Sequence, residues 1–138
     1  MPRDIIAFFC DDIRAERSST ETVVGIYPDN VEVDKIPAMF PRMSIYLRIN
    51  VFLDKEYEDI LIYMLLSDEQ KVDLTTIKAE LISSAQKQAT EQGSPFAGLV
   101  SRIKQSPFVA ANPGRIQIVA AVNGDDYVCG LLNIKHKV

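Results

Sequence analysis

Between Met43 and Leu53 the chain alternates strictly. Met43, Ile45, Leu47, Ile49, Val51 and Leu53 are large and apolar, while Ser44, Tyr46, Arg48, Asn50 and Phe52 stand between them. A helix repeats its faces every ~3.6 residues, so a period of two held this long specifies a strand. At about 3.3 Å per residue it runs roughly 36 Å, longer than most strands. The odd face has to be covered by a core, and the even face meets water or a partner.

The segments on either side follow the same logic. Asp4 to Cys10 and Thr22 to Tyr27 read as an antiparallel pair, and Val31 to Asp34 as a short edge strand. Pro37 and Pro41 bracket an irregular segment, because proline cannot donate to a ladder. Asp54-Lys55-Glu56 reads as a tight turn, so that Tyr57 to Leu66 returns beside the long strand as a central hairpin. Leu74, Ile77, Leu81, Ala85 and Ala89 then recur at three- and four-residue spacing. That stripe predicts one helix over about 74–92, capped by Asp73 or Thr75 and ended by Gly93. Phe96 to Lys104 fits helix or strand, with Gly98 and Pro107 favouring strand. Arg115 to Val122 and Tyr127 to Ile134 flank Asn123-Gly124, the best hairpin signal in the chain.

These elements predict a mainly β fold: an antiparallel β-sandwich of seven or eight strands with one inserted helix, in a single domain over 1–138. A closed β-barrel with a helix is the alternative. The chain has 138 residues, enough for a substantial core. A formal net charge of −4 gives no basic footprint for nucleic acid. The apolar run Ile5 to Cys10 is too short for a signal peptide, and no stretch approaches the ~20 apolar residues of a membrane helix. The expectation is a cytoplasmic chain that engages neither membrane nor nucleic acid, with Cys10 and Cys129 reduced and inert.

Chemistry-bearing motifs are sparse. The single histidine, His136, sits near the C-terminus, where it makes a poor general base. The six glycines are too dispersed for a phosphate loop, and no Cys/His spacing matches zinc. Asp11-Asp12, Asp125-Asp126 and the acids from Asp54 to Asp59 raise the possibility of a calcium site built from loops, but acids in turns are ordinarily just solvated. The reading is therefore no catalytic residue, no metal and no cofactor.

The segment Phe9-Cys10-Asp11-Asp12-Ile13-Arg14-Ala15-Glu16, followed by Val24-Gly25-Ile26-Tyr27, resembles the opening of a family of small uncharacterised domains of bacteria and their prophages. The resemblance covers about the first thirty residues and the Asn112-Pro113-Gly114 turn. It implies a β-rich domain of bacterial or phage origin with no assigned activity.

Two functions remain. The first is a non-enzymatic binding or assembly module, with a protein partner or a homodimer contact through Tyr46, Arg48, Phe52 and Tyr63. Tyr and Arg suit interface centres because they bury area and keep a polar handle. The alternative is a small-ligand or nucleotide-binding protein, hydrolysing or not, with a pocket built from Arg14, Arg42, Tyr46 and Arg48.

Overall fold

A computed structural model describes residues 1–137 of the chain. In chain order the elements are β1 (Asp4–Ala15), β2 (Glu21–Ile26), β3 (Asn30–Val33), β4 (Ala38–Phe40), β5 (Ser44–Val51), β6 (Ile60–Leu65), β7 (Lys71–Ile77), α1 (Ala79–Glu91), β8 (Ala97–Lys104), β9 (Phe108–Ala110), β10 (Gly114–Val122) and β11 (Asp125–His136). A four-stranded sheet runs β2-β1-β5-β8 and a five-stranded sheet β3-β11-β10-β6-β7, with β4 and β9 forming a separate ribbon. Pairing is antiparallel except between β3 and β11. Both main sheets have open edges, so the fold is a sandwich and not a closed barrel.

The alternating segment is the centre of the four-stranded sheet. β5 is flanked by β1 and β8, and Met43, Ile45, Leu47, Ile49 and Val51 are wholly buried. Facing them from β6, β10 and β11 are Ile60, Ile62, Met64, Ile118, Ala120, Leu132 and Ile134, in one continuous core. The sheets come closest where β1 passes β11. A Cβ placed on Gly130 would lie 2.8 Å from the Ala7 carbonyl oxygen, so this approach depends on the missing side chain. The Asn123-Gly124 hairpin is present, and both turn residues have positive φ, 48° and 87°, as a two-residue primed turn requires.

Three expectations need correction. β5 and β6 do not form a hairpin: they belong to different sheets, and residues 52–59 cross between them. The crossing segment is held by side chains that no turn signature reveals. Gln86 donates to the carbonyls of Phe52 (2.7 Å) and Lys55 (2.8 Å). Tyr57 accepts from the Phe52 amide (3.1 Å) and donates to the Met1 carbonyl (2.8 Å), and Asn123 bridges Glu56 and Glu58. Second, the helix starts at Ala79, not at Leu74. Leu74 and Ile77 belong to β7, where β-branched Val72, Thr75, Thr76 and Ile77 outweigh the helical spacing. Neither Asp73 nor Thr75 caps it; Asp59, from the crossing segment, accepts from the Ala79 amide at 2.7 Å. Leu81, expected in the apolar stripe, is exposed, and Ile82 is buried instead. Third, the seven or eight expected strands are joined by β4, β7 and β9, making eleven among the described residues. Phe96 to Lys104 resolves as strand β8.

Candidate binding surface

The even residues of β5 face away from the core, and the register of the four-stranded sheet sets their neighbours. Tyr46 lies between Phe8 and Arg102, Arg48 between Ile6 and Val100, and Asn50 between Asp4 and Gly98. None of these residues joins the core cluster. Phe8 and Tyr46 stack with ring centroids 5.3 Å apart and planes 17° from parallel. Such a pair contributes beyond its buried area and fixes both rings.

Polar contacts hold the rest of this face. Asn50 donates to Asp4 at 2.5 Å and accepts from the Arg48 Nε at 3.3 Å. The Arg48 guanidinium lies over Gly98, where a Cβ would sit 2.9 Å from its Nη2. Glycine at 98 therefore gives the guanidinium its seat. Among the described residues no carboxylate lies within 4.0 Å of Arg48, whereas Arg3, Arg14 and Arg102 each have one. Arg102 grips Glu21 with two guanidinium nitrogens, linking β8 to β2. Glu21 pairs with Ala15 of β1 while Arg102 lies on the row of Phe8, far back along that strand, so the sheet has to twist and curl around this face to bring them together. The hydrogen bond from Arg102 holds the Glu21 carboxyl below the usual carboxylate range, with the charge attraction adding to it.

The residues proposed from sequence are only partly brought together. Tyr46 and Arg48 are neighbours on this face. Arg14 lies further along β1, exposed and 3.5 Å from Asp12. Arg42 is exposed ahead of β5, and its carbonyl accepts from the Tyr27 hydroxyl at 3.0 Å. Phe52 is on the crossing segment with the Lys55 ammonium 4.5 Å from its ring centre. Tyr63 is on the other sheet. The aromatic surface expected to run from Tyr46 to Tyr63 is therefore split between opposite faces of the sandwich. Residues that the sequence reading missed are Phe8, Asp4, Gly98 and the Arg102–Glu21 pair. The alternation of Asp4, Ile6 and Phe8 carried a signal for β1, but their partners depend on register.

Five shallow surface cavities, of about 190 to 540 Å³, are lined by none of Arg14, Arg42, Tyr46 and Arg48. Among the described residues no group of three or more His, Cys, Asp or Glu side chains is placed to hold a metal ion. Asp11 and Asp12 lie within β1, not in a loop after it, and Asp125 and Asp126 open β11. His136 is paired in β11 with Val33, not frayed, and its ring contacts the Asp34 carbonyl at 3.1 Å. Both cysteines are free thiols. Burial, with Asp11 and Asp12 adding to it, pushes Cys10 up to about 11, and burial pushes Cys129 up to about 12. Little thiolate forms on either near neutral pH, which makes them poor nucleophiles. No helix of the described residues is long and apolar enough to cross a membrane.

A family model described as a family of unknown function matches residues 5–128. No curated protein and no solved structure matches the chain.

Proposed function

The chain belongs to the family of unknown function DUF6941, and we propose that it is a non-enzymatic binding and assembly module that takes an acidic, apolar protein segment on the outer face of its four-stranded sheet. One observation carries this reading. Arg48 is held by Asn50 over Gly98, beside the exposed Ile6, with no carboxylate within 4.0 Å among the described residues. A positioned guanidinium with apolar flanks suits a carboxylate-bearing partner, because arginine loses little freedom on forming a bidentate pair. The stacked Phe8 and Tyr46 add rigid area beside it. The Phe9 to Glu16 opening supports a bacterial or phage origin for such a module. The small-ligand alternative has less support, since its four residues line none of these five cavities.

Selection from a random displayed-peptide library tests the reading. Wild-type protein should enrich sequences combining Asp or Glu with large apolar residues, and Arg48→Glu should lose them while folding normally. Enriched peptides without acidic residues, bound equally by Arg48→Glu, would overturn it.

A further inference from the structure

We propose that the outer face of the five-stranded sheet is the contact between two copies of this chain, related by a twofold axis that lies in the interface and crosses the strands between Gln117 and Val119. The register sets this face out in rows. Leu131, Gln117, Leu65 and Lys71 form one row across β11, β10, β6 and β7, and Val128, Val119, Tyr63 and Asp73 form the next. Asn133 and Arg115 lie beyond the first row; Asp126, Ala121, Leu61 and Thr76 lie beyond the second. Val119 and Tyr63 are buried yet stand outside the core cluster, and Val128 is 58% and Leu131 38% exposed. The face is thus apolar, covered at Val119 and Tyr63 and open at Val128 and Leu131, with its charges at the margins.

Those charges complement themselves under the proposed axis. A twofold crossing the strands exchanges the two central rows and leaves each strand facing its own copy. Lys71 then faces the partner's Asp73, twice over, and Leu131 meets the partner's Val128. Arg115 comes over the row that carries the partner's Asp126. Within the chain, among the described residues, neither Lys71 nor Asp73 lies within 4.0 Å of an opposite charge. Lys71 instead rests over the Tyr63 ring, 4.8 Å from its centre. The three rows that span four strands, with the Arg115–Asn133 pair, make a footprint of roughly 450 Å² per copy at normal strand spacings. The pair then buries about 900 Å² in total, the size of a weak, reversible contact, which the paired charges would have to orient. An isologous contact of this kind closes at two copies and leaves the outer face of each four-stranded sheet free.

Sedimentation velocity of the full chain at tens of micromolar tests this. Wild type should sediment as a dimer. Val128→Glu/Leu131→Glu should be monomeric with an unchanged far-ultraviolet spectrum, both sites being exposed. Lys71→Asp should weaken association about tenfold or more by placing like charges opposite each other. Combining it with Asp73→Lys should restore the dimer, an outcome that mere misfolding cannot give. A monomeric wild type overturns the proposal. So does a dimer that survives Val128→Glu/Leu131→Glu, or a failure of the charge exchange to rescue. Ile6→Glu/Arg48→Glu, on the opposite face, should leave the mass unchanged; dissociation by that variant would assign the contact to the wrong sheet.

Discussion

On the outer face of the four-stranded sheet the side chains satisfy one another. Asp4, Asn50 and Arg48 form a chain of hydrogen bonds, Phe8 stacks on Tyr46, and Arg102 holds Glu21. On the outer face of the five-stranded sheet they cover one another. Tyr63 is 5% and Val119 2% exposed, Lys71 rests on Tyr63, and Leu131 and Val128 are left facing outward. One face is a polar, positioned surface on which Arg48 has no carboxylate partner among the described residues. The other is an apolar surface with charges at its margins. Alternation puts side chains on an outer face, but cross-strand register decides whether they become a network or a patch.

The largest expected effect falls on both faces together. Leu47 is fully buried between the sheets, and Leu47→Ala should cost about 2–5 kcal/mol from lost transfer energy and the cavity left behind. Urea denaturation measures it, and an unchanged midpoint would contradict the placement of β5. Gly130→Ala should come next. The added methyl presses on the Ala7 carbonyl where the sheets meet, and such overpacking costs about 1–3 kcal/mol. A neutral result would mean that β1 and β11 are free to separate, and that the two faces are less rigidly joined than this contact implies.

Smaller effects distinguish the faces. A double-mutant cycle on Phe8 and Tyr46, each changed to Leu, should give a coupling of about 0.5–1.5 kcal/mol. The matching cycle on Lys71 and Tyr63, where an ammonium sits over a ring, should give about 0.5–1 kcal/mol, and high salt should weaken it. Coupling that is absent on the four-stranded sheet but present on the other would reverse their assignment as network and patch.

Much of the sandwich was legible because its signals are local. The period of two in Met43 to Leu53, the Asn123-Gly124 turn and the β-branched runs each act within a few residues. The crossing segment was not legible. Asp54-Lys55-Glu56 has turn composition whether the chain returns to the same sheet or leaves for the other. What decides is Gln86, Tyr57 and Asn123, brought in from distant positions. The helix start failed for a related reason: its cap, Asp59, is not the residue before it. The candidate surface divides the same way. Tyr46 and Arg48 could be picked from one strand, but Gly98, Asp4 and Phe8 became part of it only through pairing. Tyr63 groups with Tyr46 only if a hairpin joins their strands, and there the chain crosses between sheets.

The smallest effect, and the one that separates the faces by sign, is the response to pH. Glu21 sits below its ordinary value of 4.5, chiefly through its hydrogen bond from Arg102. A carboxyl whose folded pKa lies below its unfolded one binds fewer protons when folded, so the stability it adds is present above the unfolded pKa. That stability is lost as pH falls through the folded value. Glu21→Gln should therefore flatten the acid limb of the stability curve slightly, because the pair is exposed and screened. Asp59 is also lowered, first by its bond from the Ala79 amide, and should keep contributing to that limb in the variant. Tyr63, on the other sheet, is raised above its ordinary 10.0, mainly by burial, with Asp126 adding to it. The folded state holds that proton more tightly, so its stability is complete below the unfolded pKa and is lost as pH rises through the folded one. Tyr63→Phe should flatten the alkaline limb and leave the acid limb alone. Thermal melts from pH 3 to 11 on wild type and both variants measure the two limbs. If Glu21→Gln altered the alkaline limb, or Tyr63→Phe the acid one, the faces would not be electrostatically independent, and a partner bound on one would then be sensed by the other.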